Sequence, residues 1–416
     1  MRGGVCQYGT QETPQIDKEI GEKDHLWMET NEPGYTPGYY LERNMEQSFL
    51  EGNEAVAWGA YHAGCRFFAG YPITPATSIF NTMLSILPPK GGIVLQAEDE
   101  IAAMGYCIGA SMAGLKVMTA TSGPGISLYS EQISFAVGSE IPLVIVDVQR
   151  LGPSTGSATR GADGDVQFMR WGNSGGLPVI VLAPVDVRDC FTLTIQAFNL
   201  AEKYRCPVFL ASNKEIGLTK ESTDMEAFEK PALVERVKPS QSGPFLPFKV
   251  SAGRQVPDFL PIGNEVLVRQ TSSTHGADGY ITTNPDEIES MVERMKNKIE
   301  AGIDEYSFAD AHIEPDANTL IVTYGISGRS ARAACKELKS EGVPVSLLTL
   351  KTLWPVPENL IRKHAEGAKR VIVVEMNLGQ YVREVERVLK DKKVEFVGQM
   401  DGRLIKPSQI KEAVNG

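Results

Sequence analysis

The sequence predicts an α/β protein in which mostly parallel sheets are covered by helices on both faces. Three observations favour this fold class. Short, continuously apolar segments of strand length alternate with longer segments of helical periodicity. The connections between them are short and contain Gly and Pro, as strand–helix turns do. The chain has 416 residues, 42% of them apolar, and is long enough for two or three domains with large cores.

The predicted elements follow one another regularly from Met45. A helical pattern over residues 45–64 leads to a short strand at 65–70 and to the turn YPITP at 71–75. Continuously apolar strands such as PLVIVDVQR are typical of parallel strands buried on both faces. The remaining predicted elements of this first part are helix 77–87, strand 92–98, helix 99–114, strand 116–122, helix 126–140, strand 142–150, strand 178–184, helix 187–204 and strand 206–212.

A stretch dense in Pro and Gly interrupts the alternation after residue 220 and is predicted to be a loop-rich connector with one helix at 285–300. A second α/β unit begins at NTLIVTYG. Its predicted elements are strand 318–325, helix 327–342, strand 344–357, helix 357–368 and strand 369–377, followed by a helix and a short strand. We therefore predict an N-terminal arm at 1–45, a first α/β domain at 46–220, the connector at 221–315 and a second α/β domain at 316–416.

Composition excludes several classes of function. The net charge of −11 disfavours non-specific attraction to nucleic acid or to an anionic membrane. The six cysteines include no CxxC pair, so the sequence encodes neither a zinc knuckle nor a run of iron–sulfur ligands. No apolar run has the length of a signal peptide core or a membrane span. We predict a cytoplasmic chain that binds no metal by itself and has no nucleic-acid or membrane partner.

Candidate site residues follow the predicted strands of the first domain. The signatures HExxH, GxSxG and GxxxxGK[ST] are absent, and no GxGxxG stands between a strand and a helix. Ligands of open parallel sheets bind beyond the carboxyl ends of the strands. The turn YPITP, Glu100, the turn TSGPG at 121–125 and Arg150 each follow a strand and should converge there. Each also has a purely structural explanation, such as a helix cap or a surface ion pair.

Several segments resemble a known family. They are YPITPATSI, QAEDEIAAMGYCIGAS, TATSGPGISL, DVQRLGPSTG and AFNLAEKYRCPV in the first part, and TLWPVP and VVEMNLGQ in the second. Over about residues 45–410 the chain resembles the α subunit of multi-subunit 2-oxoacid:acceptor (ferredoxin) oxidoreductases, of the branched-chain, 2-oxoglutarate or aromatic 2-oxoacid (phenylglyoxylate) type. The resemblance implies an open parallel sheet domain that binds the pyrimidine side of thiamine diphosphate, and a transketolase-C-terminal-like α/β domain.

The resemblance implies oxidative decarboxylation of a 2-oxo acid with coenzyme A, giving an acyl-CoA, carbon dioxide and two electrons. Thiamine diphosphate would be shared with a β subunit that holds the diphosphate and magnesium. Iron–sulfur clusters would lie on partner subunits, a γ subunit and a ferredoxin-like δ subunit, with ferredoxin or an NAD-linked flavin subunit as acceptor. Two alternatives remain open: a non-catalytic assembly subunit of such a complex, and a self-contained thiamine-dependent decarboxylase.

Three neighbouring acids, Glu98, Asp99 and Glu100, compete for one implied role, the carboxylate that hydrogen-bonds the aminopyrimidine ring of the cofactor. Thiamine-dependent enzymes typically have a small residue three positions after this Glu and a Gly nine positions after it. Glu100 fits that spacing with Ala103 and Gly109. The resemblance therefore favours Glu100 as the catalytic, cofactor-binding acid and leaves Glu98 as the alternative.

The resemblance also implies the other site residues. The turn formed by Thr121, Ser122, Gly123 and Pro124 would lie beside the cofactor. Thr74 and Arg150 would bind the substrate carboxylate, a task suited to a hydroxyl and a bidentate guanidinium.

The segment GADGDV at 161–166 is similar to the GDG that opens a diphosphate-and-magnesium motif. That motif needs an Asn much further along the chain, and Asn173 comes too soon, so we predict a specificity or interface loop. Phe168, Met169 and Trp171 follow it and are compatible with a branched-chain or aromatic 2-oxo acid. Ordinary packing explains the same three side chains equally well.

Overall fold

The computed structural model describes residues 48–239, 245–263 and 265–416, and within these residues the strands form three sheets. One sheet has seven strands, one has five, and the third is a two-stranded ribbon. The described residues form one compact unit. The predicted arm at 1–45 lies outside the described residues.

The strands are β1 (Ser48–Glu51), β2 (Phe67–Gly70), β3 (Ile93–Gln96), β4 (Val117–Thr121), β5 (Leu143–Gln149), β6 (Ile180–Leu182), β7 (Pro207–Asn213), β8 (Lys220–Thr223), β9 (Ala309–His312), β10 (Thr319–Tyr324), β11 (Ser346–Leu350), β12 (Thr352–Trp354), β13 (Arg370–Glu375) and β14 (Lys393–Gly398).

The helices are α1 (Gly52–His62), α2 (Thr77–Ile86), α3 (Glu100–Met112), α4 (Gly123–Leu128), α5 (Ser130–Gly138), α6 (Val166–Trp171), α7 (Val187–Tyr204), α8 (Lys214–Leu218), α9 (Pro285–Glu300), α10 (Ser327–Ser340), α11 (Glu358–Ala365), α12 (Val382–Val388) and α13 (Pro407–Asn415), with 3₁₀ turns at Pro88–Lys90 and Ile303–Glu305. None of the helices in the described ranges combines the length and apolar character that a membrane crossing requires.

The seven-stranded sheet has the order β12-β6-β7-β5-β4-β2-β3. Its strands are parallel except for β12, which runs antiparallel to β6. β5 and β7 lie near its centre, and every residue of both strands is buried. Helices on both faces cover their Val, Ile, Leu and Phe side chains, which explains the continuous apolar runs in these strands. The α/β class predicted from the alternation is confirmed.

The five-stranded sheet has the order β14-β13-β10-β11-β9, and only β9 runs antiparallel to its neighbour. β10 and β13 are its central pair, and their Ile and Val side chains are buried. The sheet draws β9 from the end of the predicted connector, because Ala309–His312 pairs with β11.

The helix predicted over 45–64 is wrong at residues 48–51. These residues form β1 and pair antiparallel with β8, and the helix begins only at Gly52. The reason lies in the tertiary structure, because β1 pairs with a strand far along the chain. The helix begins at Gly52, where a Cβ atom would collide with the backbone of α8. The side chain of Glu54 also accepts a hydrogen bond from the N–H of Glu51 at 2.8 Å, which fixes the start of the helix at this point.

The single strand predicted over 344–357 is also wrong. The chain forms β11 in the five-stranded sheet and then β12 in the seven-stranded sheet. Lys351 lies between them, and its N–H donates to the carbonyl oxygen of Phe308 while its own carbonyl accepts from Ala183. Both strands are short, apolar and buried, so their sequence pattern gives no sign that the chain changes sheets.

Candidate active site

The predicted strand-end features lie along one edge of the seven-stranded sheet. β5, β4, β2 and β3 are neighbours in that order and run parallel, so their carboxyl ends share this edge. β2 and β4 pair only at their first residues, Phe67 with Val117 and Phe68 with Met118, although both strands continue beyond them. The chain order reverses here, because β3 lies on one side of β2 and β4 on the other. Open α/β sheets bind ligands at such a switch point. We call the group Thr74, Glu100, Thr121, Ser122 and Arg150 the strand-end site.

Glu100 is the first residue of α3 and is only 7% exposed. Its side chain lies against the turn after β4, because a Cβ atom added to Gly125 would be 2.8 Å from Cγ of Glu100 and 3.2 Å from its Oε1. Ala103 is buried one turn later on the same face of the helix. A Cβ atom added at Gly109 would meet no atom within 4 Å. Packing among the described residues therefore does not require glycine at this position.

The two competing acids have other contacts. Asp99 is exposed and caps α3, with Oδ1 accepting from the N–H of Ala102 at 2.7 Å. Glu98 is exposed and accepts from the hydroxyl of Tyr106 at 3.3 Å. Glu100 is therefore the one buried acid of the three, which supports the preference drawn from its spacing.

The turn after β4 brings two unpaired hydroxyl groups to the site. Thr121 ends β4, Ser122 caps α4, and both residues are fully buried. Their hydroxyl oxygens have no hydrogen-bond partner among the described residues. A Cβ atom at Gly125 would collide with the Thr121 hydroxyl, so this close approach requires glycine. Unpaired buried hydroxyls are uncommon in proteins and mark a position where ligand atoms can bind.

The helix predicted at 126–140 differs from the structure at this turn. α4 already begins at Gly123, with Pro124 in its first turn, and a second helix, α5, starts at Ser130. Proline lacks the N–H group that the first turn of a helix leaves unpaired, which explains why the GPG segment starts the helix and does not precede it.

Arg150 follows β5 and contacts the turn that contains Thr74. Its Nη1 donates to the carbonyl oxygen of Thr74, and its Nη2 donates to that of Thr155 at 3.0 Å. Its Nε is buried without a described partner. Burial lowers the pKa of Arg150, and the carboxylates of Asp165 and Glu100 oppose that change. The two residues predicted to bind a carboxylate are thus in contact, and the Nε–H of Arg150 has no partner among the described residues.

Sequence reasoning did not identify three acids beside this site. Asp147 lies in β5, and Asp163 and Asp165 lie in the segment 161–166. Burial, followed by the neighbouring Asp165 carboxyl, raises the pKa of Asp147 well above its usual range. Burial also raises the pKa of Asp163 to about 7. The available sequence signal was an aspartate inside the otherwise apolar strand PLVIVDVQR.

The segment 161–166 lies between the ends of the two large sheets. Asn213 at the end of β7 donates to Oδ1 of Asp163 at 2.7 Å. After β13, Asn377 donates to the carbonyl oxygen of Asp163 at 2.9 Å, and the N–H of Asp163 donates to Met376 at 2.8 Å. These bonds from two sheets hold the segment in place and fix the position of Asp165 near Arg150.

The aromatic and Met residues after this segment belong to α6. Met169 is buried in the core, and Phe168 packs against the same core. Trp171 is 57% exposed, and the guanidinium of Arg170 lies 3.8 Å from its ring centroid. Packing accounts for Phe168 and Met169, so their residue types carry no information about a substrate.

Two family models match the chain. The model described as pyruvate flavodoxin/ferredoxin oxidoreductase, thiamine diphosphate-binding, matches residues 58–311. The model described as pyruvate:ferredoxin oxidoreductase core domain II matches residues 317–410.

The chain is also similar to curated and solved proteins. The 2-oxoglutarate synthase subunit KorA of Methanothermobacter marburgensis is 42% identical, over 89% of this chain and 99% of that one. The ketoisovalerate oxidoreductase subunit VorB of Methanothermobacter thermautotrophicus is 35% identical, over 89% and 97%. The 2-oxoglutarate:ferredoxin oxidoreductase of Magnetococcus marinus, solved with 2-oxoglutarate, coenzyme A and succinyl-CoA bound, matches with a TM-score of 0.84 and 32% identity, over 89% of this chain and 65% of that chain. The predicted fold class, including its transketolase-like character, is confirmed.

Proposed function

The chain belongs to the thiamine-diphosphate-binding pyruvate flavodoxin/ferredoxin oxidoreductase family, and we propose that it is the α subunit of an enzyme that oxidatively decarboxylates a 2-oxo acid. The resemblance predicted from the sequence is confirmed. The reaction uses coenzyme A and yields an acyl-CoA, carbon dioxide and two electrons. We retain the predicted segments 46–220, 221–315 and 316–416 as the proposed domains.

The residues of the strand-end site fit the pyrimidine side of thiamine diphosphate. A buried carboxylate at Glu100 is available to a ring nitrogen, and the hydroxyls of Thr121 and Ser122 have no other described partner. Because Gly125 has no Cβ atom, the side chain of Glu100 can lie directly against the turn. When bound, thiamine diphosphate supplies the carbanion chemistry by which the carboxylate of a 2-oxo acid is lost.

In this proposal each residue has one task. Glu100 accepts or donates a proton at its carboxyl oxygen toward the aminopyrimidine ring. Thr121, Ser122, Gly123 and Pro124 line the turn beside that ring. Arg150 and Thr74 hold the carboxylate of the 2-oxo acid, since a guanidinium offers parallel N–H donors to two oxygens.

The observation that carries the proposal is the convergence of unpaired buried groups from separate strand ends. Thr121 and Ser122 follow β4 and Arg150 follows β5, and each has a buried polar atom without a described partner. Glu100 comes from the start of α3 and lies against the same turn. Convergence of an acid, hydroxyls and a guanidinium at a switch point supports a catalytic subunit and disfavours the non-catalytic assembly subunit.

We further propose that partner subunits complete the enzyme. The diphosphate and magnesium would lie on a β subunit, because this sequence lacks the GDG…N motif. The iron–sulfur clusters would lie on γ and ferredoxin-like δ subunits, because no cluster ligand run is encoded in this chain. Ferredoxin or an NAD-linked flavin subunit would accept the electrons, and we propose a cytoplasmic enzyme.

The test compares the chain purified alone with the chain co-expressed with partners that carry GDG…N and CxxC-rich segments. Alone, it should be colourless, free of iron and a weak binder of thiamine diphosphate, because half of the cofactor contacts are missing. With its partners it should gain cofactor, iron and brown colour. Stoichiometric thiamine diphosphate and magnesium in the lone chain would contradict the shared site and favour the self-contained decarboxylase.

The substrate is proposed at the level of the 2-oxo acid class. Relatives in two substrate classes are similar to this chain, at 42% and 35% identity. The complete complex should therefore be assayed with 2-oxoglutarate, 2-oxoisovalerate and phenylglyoxylate, each with coenzyme A. Reduction of the acceptor with one of these acids would support the proposed reaction, and its absence with all three would contradict it.

A further inference from the structure

Two buried carboxyl groups face each other beside Arg150. Asp147 in β5 is fully buried, and neither of its carboxyl oxygens has a hydrogen-bond donor among the described residues. Oδ2 of Asp165 is also buried without a described donor. The N–H of Asp165 donates to Oε1 of Gln149 at 3.0 Å, and Gln149 lies two residues after Asp147 on the same face of β5, so the two carboxyl groups are neighbours.

Such a pair cannot hold two negative charges. Adjacent buried carboxylates repel each other strongly, and here no N–H or O–H donor of the described residues compensates Asp147. Burial is the main cause that raises the pKa of both residues. One proton between the two groups removes the repulsion and supplies the missing hydrogen bond.

In the part of the chain that the structure describes, the charged and titratable groups around the pair are few. Arg150, three residues after Asp147 in the chain, faces Asp165. Asp163 faces Asp165 from the same segment and is itself faced by Glu375 of β13. Glu100 at the start of α3 faces Arg150. α4 lies against Asp165 at Gly123, where a Cβ atom would be 3.2 Å from Oδ2, and it contributes no titratable side chain.

We propose that Asp147 and Asp165 share one proton in the free protein and take up a second from solvent when the carboxylate of a 2-oxo acid binds Arg150. This inference rests on the proposed function, because it assigns that carboxylate to Arg150. The charge balance explains the coupling. The singly protonated pair carries one negative charge beside the positive guanidinium, and a substrate carboxylate adds another in a buried site.

Uptake of the second proton restores the balance. It moves one proton from solvent to a carboxyl oxygen of the pair, and no bond to the substrate is made or broken. Asp147 and Asp165 are then positioning residues that set the affinity of Arg150 for an anion. Since binding takes up a proton, affinity should be highest at low pH. KM should rise by at most about tenfold per pH unit once the pH exceeds the pKa at which the free pair takes up its second proton.

The kinetic test measures KM and kcat against pH in the complete complex, with whichever of 2-oxoglutarate, 2-oxoisovalerate or phenylglyoxylate it turns over. The double variant Asp147→Asn/Asp165→Asn removes the competing charge, so KM should become nearly independent of pH and at pH 8 be about fivefold or more below that of the wild type. The double variant's kcat should change much less than its KM. Each single variant, Asp147→Asn or Asp165→Asn, leaves one acid that accepts from the new amide N–H and should shift the rise in KM to lower pH.

Asp189→Asn is the matched control. Burial raises the pKa of Asp189 to about 6, but this residue bonds to Lys351 and to the N–H of Val185 and is assigned no role at the strand-end site. Its loss should leave the dependence of KM on pH unchanged. A wild-type dependence of KM on pH that survives in the double variant Asp147→Asn/Asp165→Asn would overturn the coupling between the pair and the substrate.

An infrared titration tests the shared proton without any substrate, using the full chain. Only a protonated carboxyl group shows the C=O stretch of an acid, and the same titrating signal should disappear in Asp147→Asn and in Asp165→Asn. Asp189→Asn should lose a different signal. If the two variants of the pair lose no common signal near neutral pH, the shared proton is refuted. Turnover of none of the three acids would instead refute the proposed function and the coupling to substrate.

Discussion

At the scale of single residues, unpaired buried polar atoms lie in the strand-end site and directly beside it. Thr121, Ser122, Asp147, Arg150 and Asp165 each have at least one such atom among the described residues. An unpaired buried polar group costs about 1–3 kcal/mol when nothing binds it. The five residues meet at one sheet edge, so a ligand that pairs with these atoms there would recover part of that cost.

Glu100→Gln should lower turnover of the complete complex by at least about a hundredfold, because the amide keeps the shape of the side chain and loses its proton chemistry. Glu98→Gln is the matched control, and its effect should be small because Glu98 is exposed. Steady-state kinetics of the two variants in the same complex measure the difference. Equal activity of Glu100→Gln and the wild type would remove Glu100 from the proposed role.

Arg150→Lys should raise KM and lower kcat/KM by at least about tenfold, since a lost charge-assisted pair in a closed site is worth roughly 2–5 kcal/mol. A point ammonium cannot reproduce the fork that also holds the carbonyl oxygens of Thr74 and Thr155. Arg160→Lys makes the same change at an exposed position of the same loop and should have little effect. Unchanged kinetics of Arg150→Lys with every 2-oxo acid tested would argue for a structural arginine.

At the scale of single elements, the turn between β4 and α4 determines whether the site can form. Ser122 is the single residue between β4 and α4, so the chain must turn from strand to helix at this position. The turn lies against Glu100 on one side and against Asp165 on the other. A change in this turn should therefore alter both neighbours together.

Gly125→Ala should destabilise the protein and displace Glu100, because the added Cβ atom would lie 2.8 Å from Cγ of Glu100. Overpacking of a tight site usually costs about 1–3 kcal/mol. Gly109→Ala in the middle of α3 meets no atom within 4 Å and should be neutral or stabilise the chain by up to about 1 kcal/mol. Urea unfolding of the purified chain measures both changes, and similar stabilities of the two variants would contradict this account of the turn.

At the scale of the whole molecule, buried ion pairs attach the described part of the predicted connector, residues 221–315, to helices and turns that cover the seven-stranded sheet. Glu140 is fully buried and accepts from Arg294 at 2.6 Å and from Lys298 at 2.8 Å, both on α9. Arg236 donates to Glu202 of α7 and to the carbonyl oxygens of Ser111 and Leu115. These bonds fix a segment that has little regular structure among its described residues.

Glu140→Gln should lower the free energy of unfolding at pH 7 by roughly 3–5 kcal/mol, because it leaves Lys298 buried without a negative partner. Glu305→Gln removes an exposed pair with Lys203 and should cost less than about 1 kcal/mol. Urea unfolding of the two variants gives the comparison. A loss at Glu140 no larger than that at Glu305 would show that the buried pairs contribute little to stability.

Glu140 also predicts the direction of a pH effect. Burial opposes its ionisation, but Lys298 and Arg294 hold the pKa of Glu140 well below its usual range. The stabilisation is therefore fully present above the unfolded pKa of about 4.3 and is lost as the pH falls toward the folded pKa. The difference in unfolding free energy between wild type and Glu140→Gln should shrink below about pH 5. A difference that stays constant down to pH 3 would contradict this assignment.

The sequence by itself determined the α/β class and most strands of both large sheets, because apolar runs, helical periodicity and strand-end turns are properties of neighbouring residues. Its longer motifs carried the resemblance to the family, which the family models confirm. That resemblance implied the roles of the residues at the strand-end site, and these roles stay predictions. Only the tertiary structure decided that residues 48–51 pair with β8, that the chain changes sheets at Lys351, and that Asp147 and Asp165 face each other. Strand pairing and the approach of two acids depend on residues far apart in the chain, and the one local sign was the aspartate inside the apolar strand PLVIVDVQR.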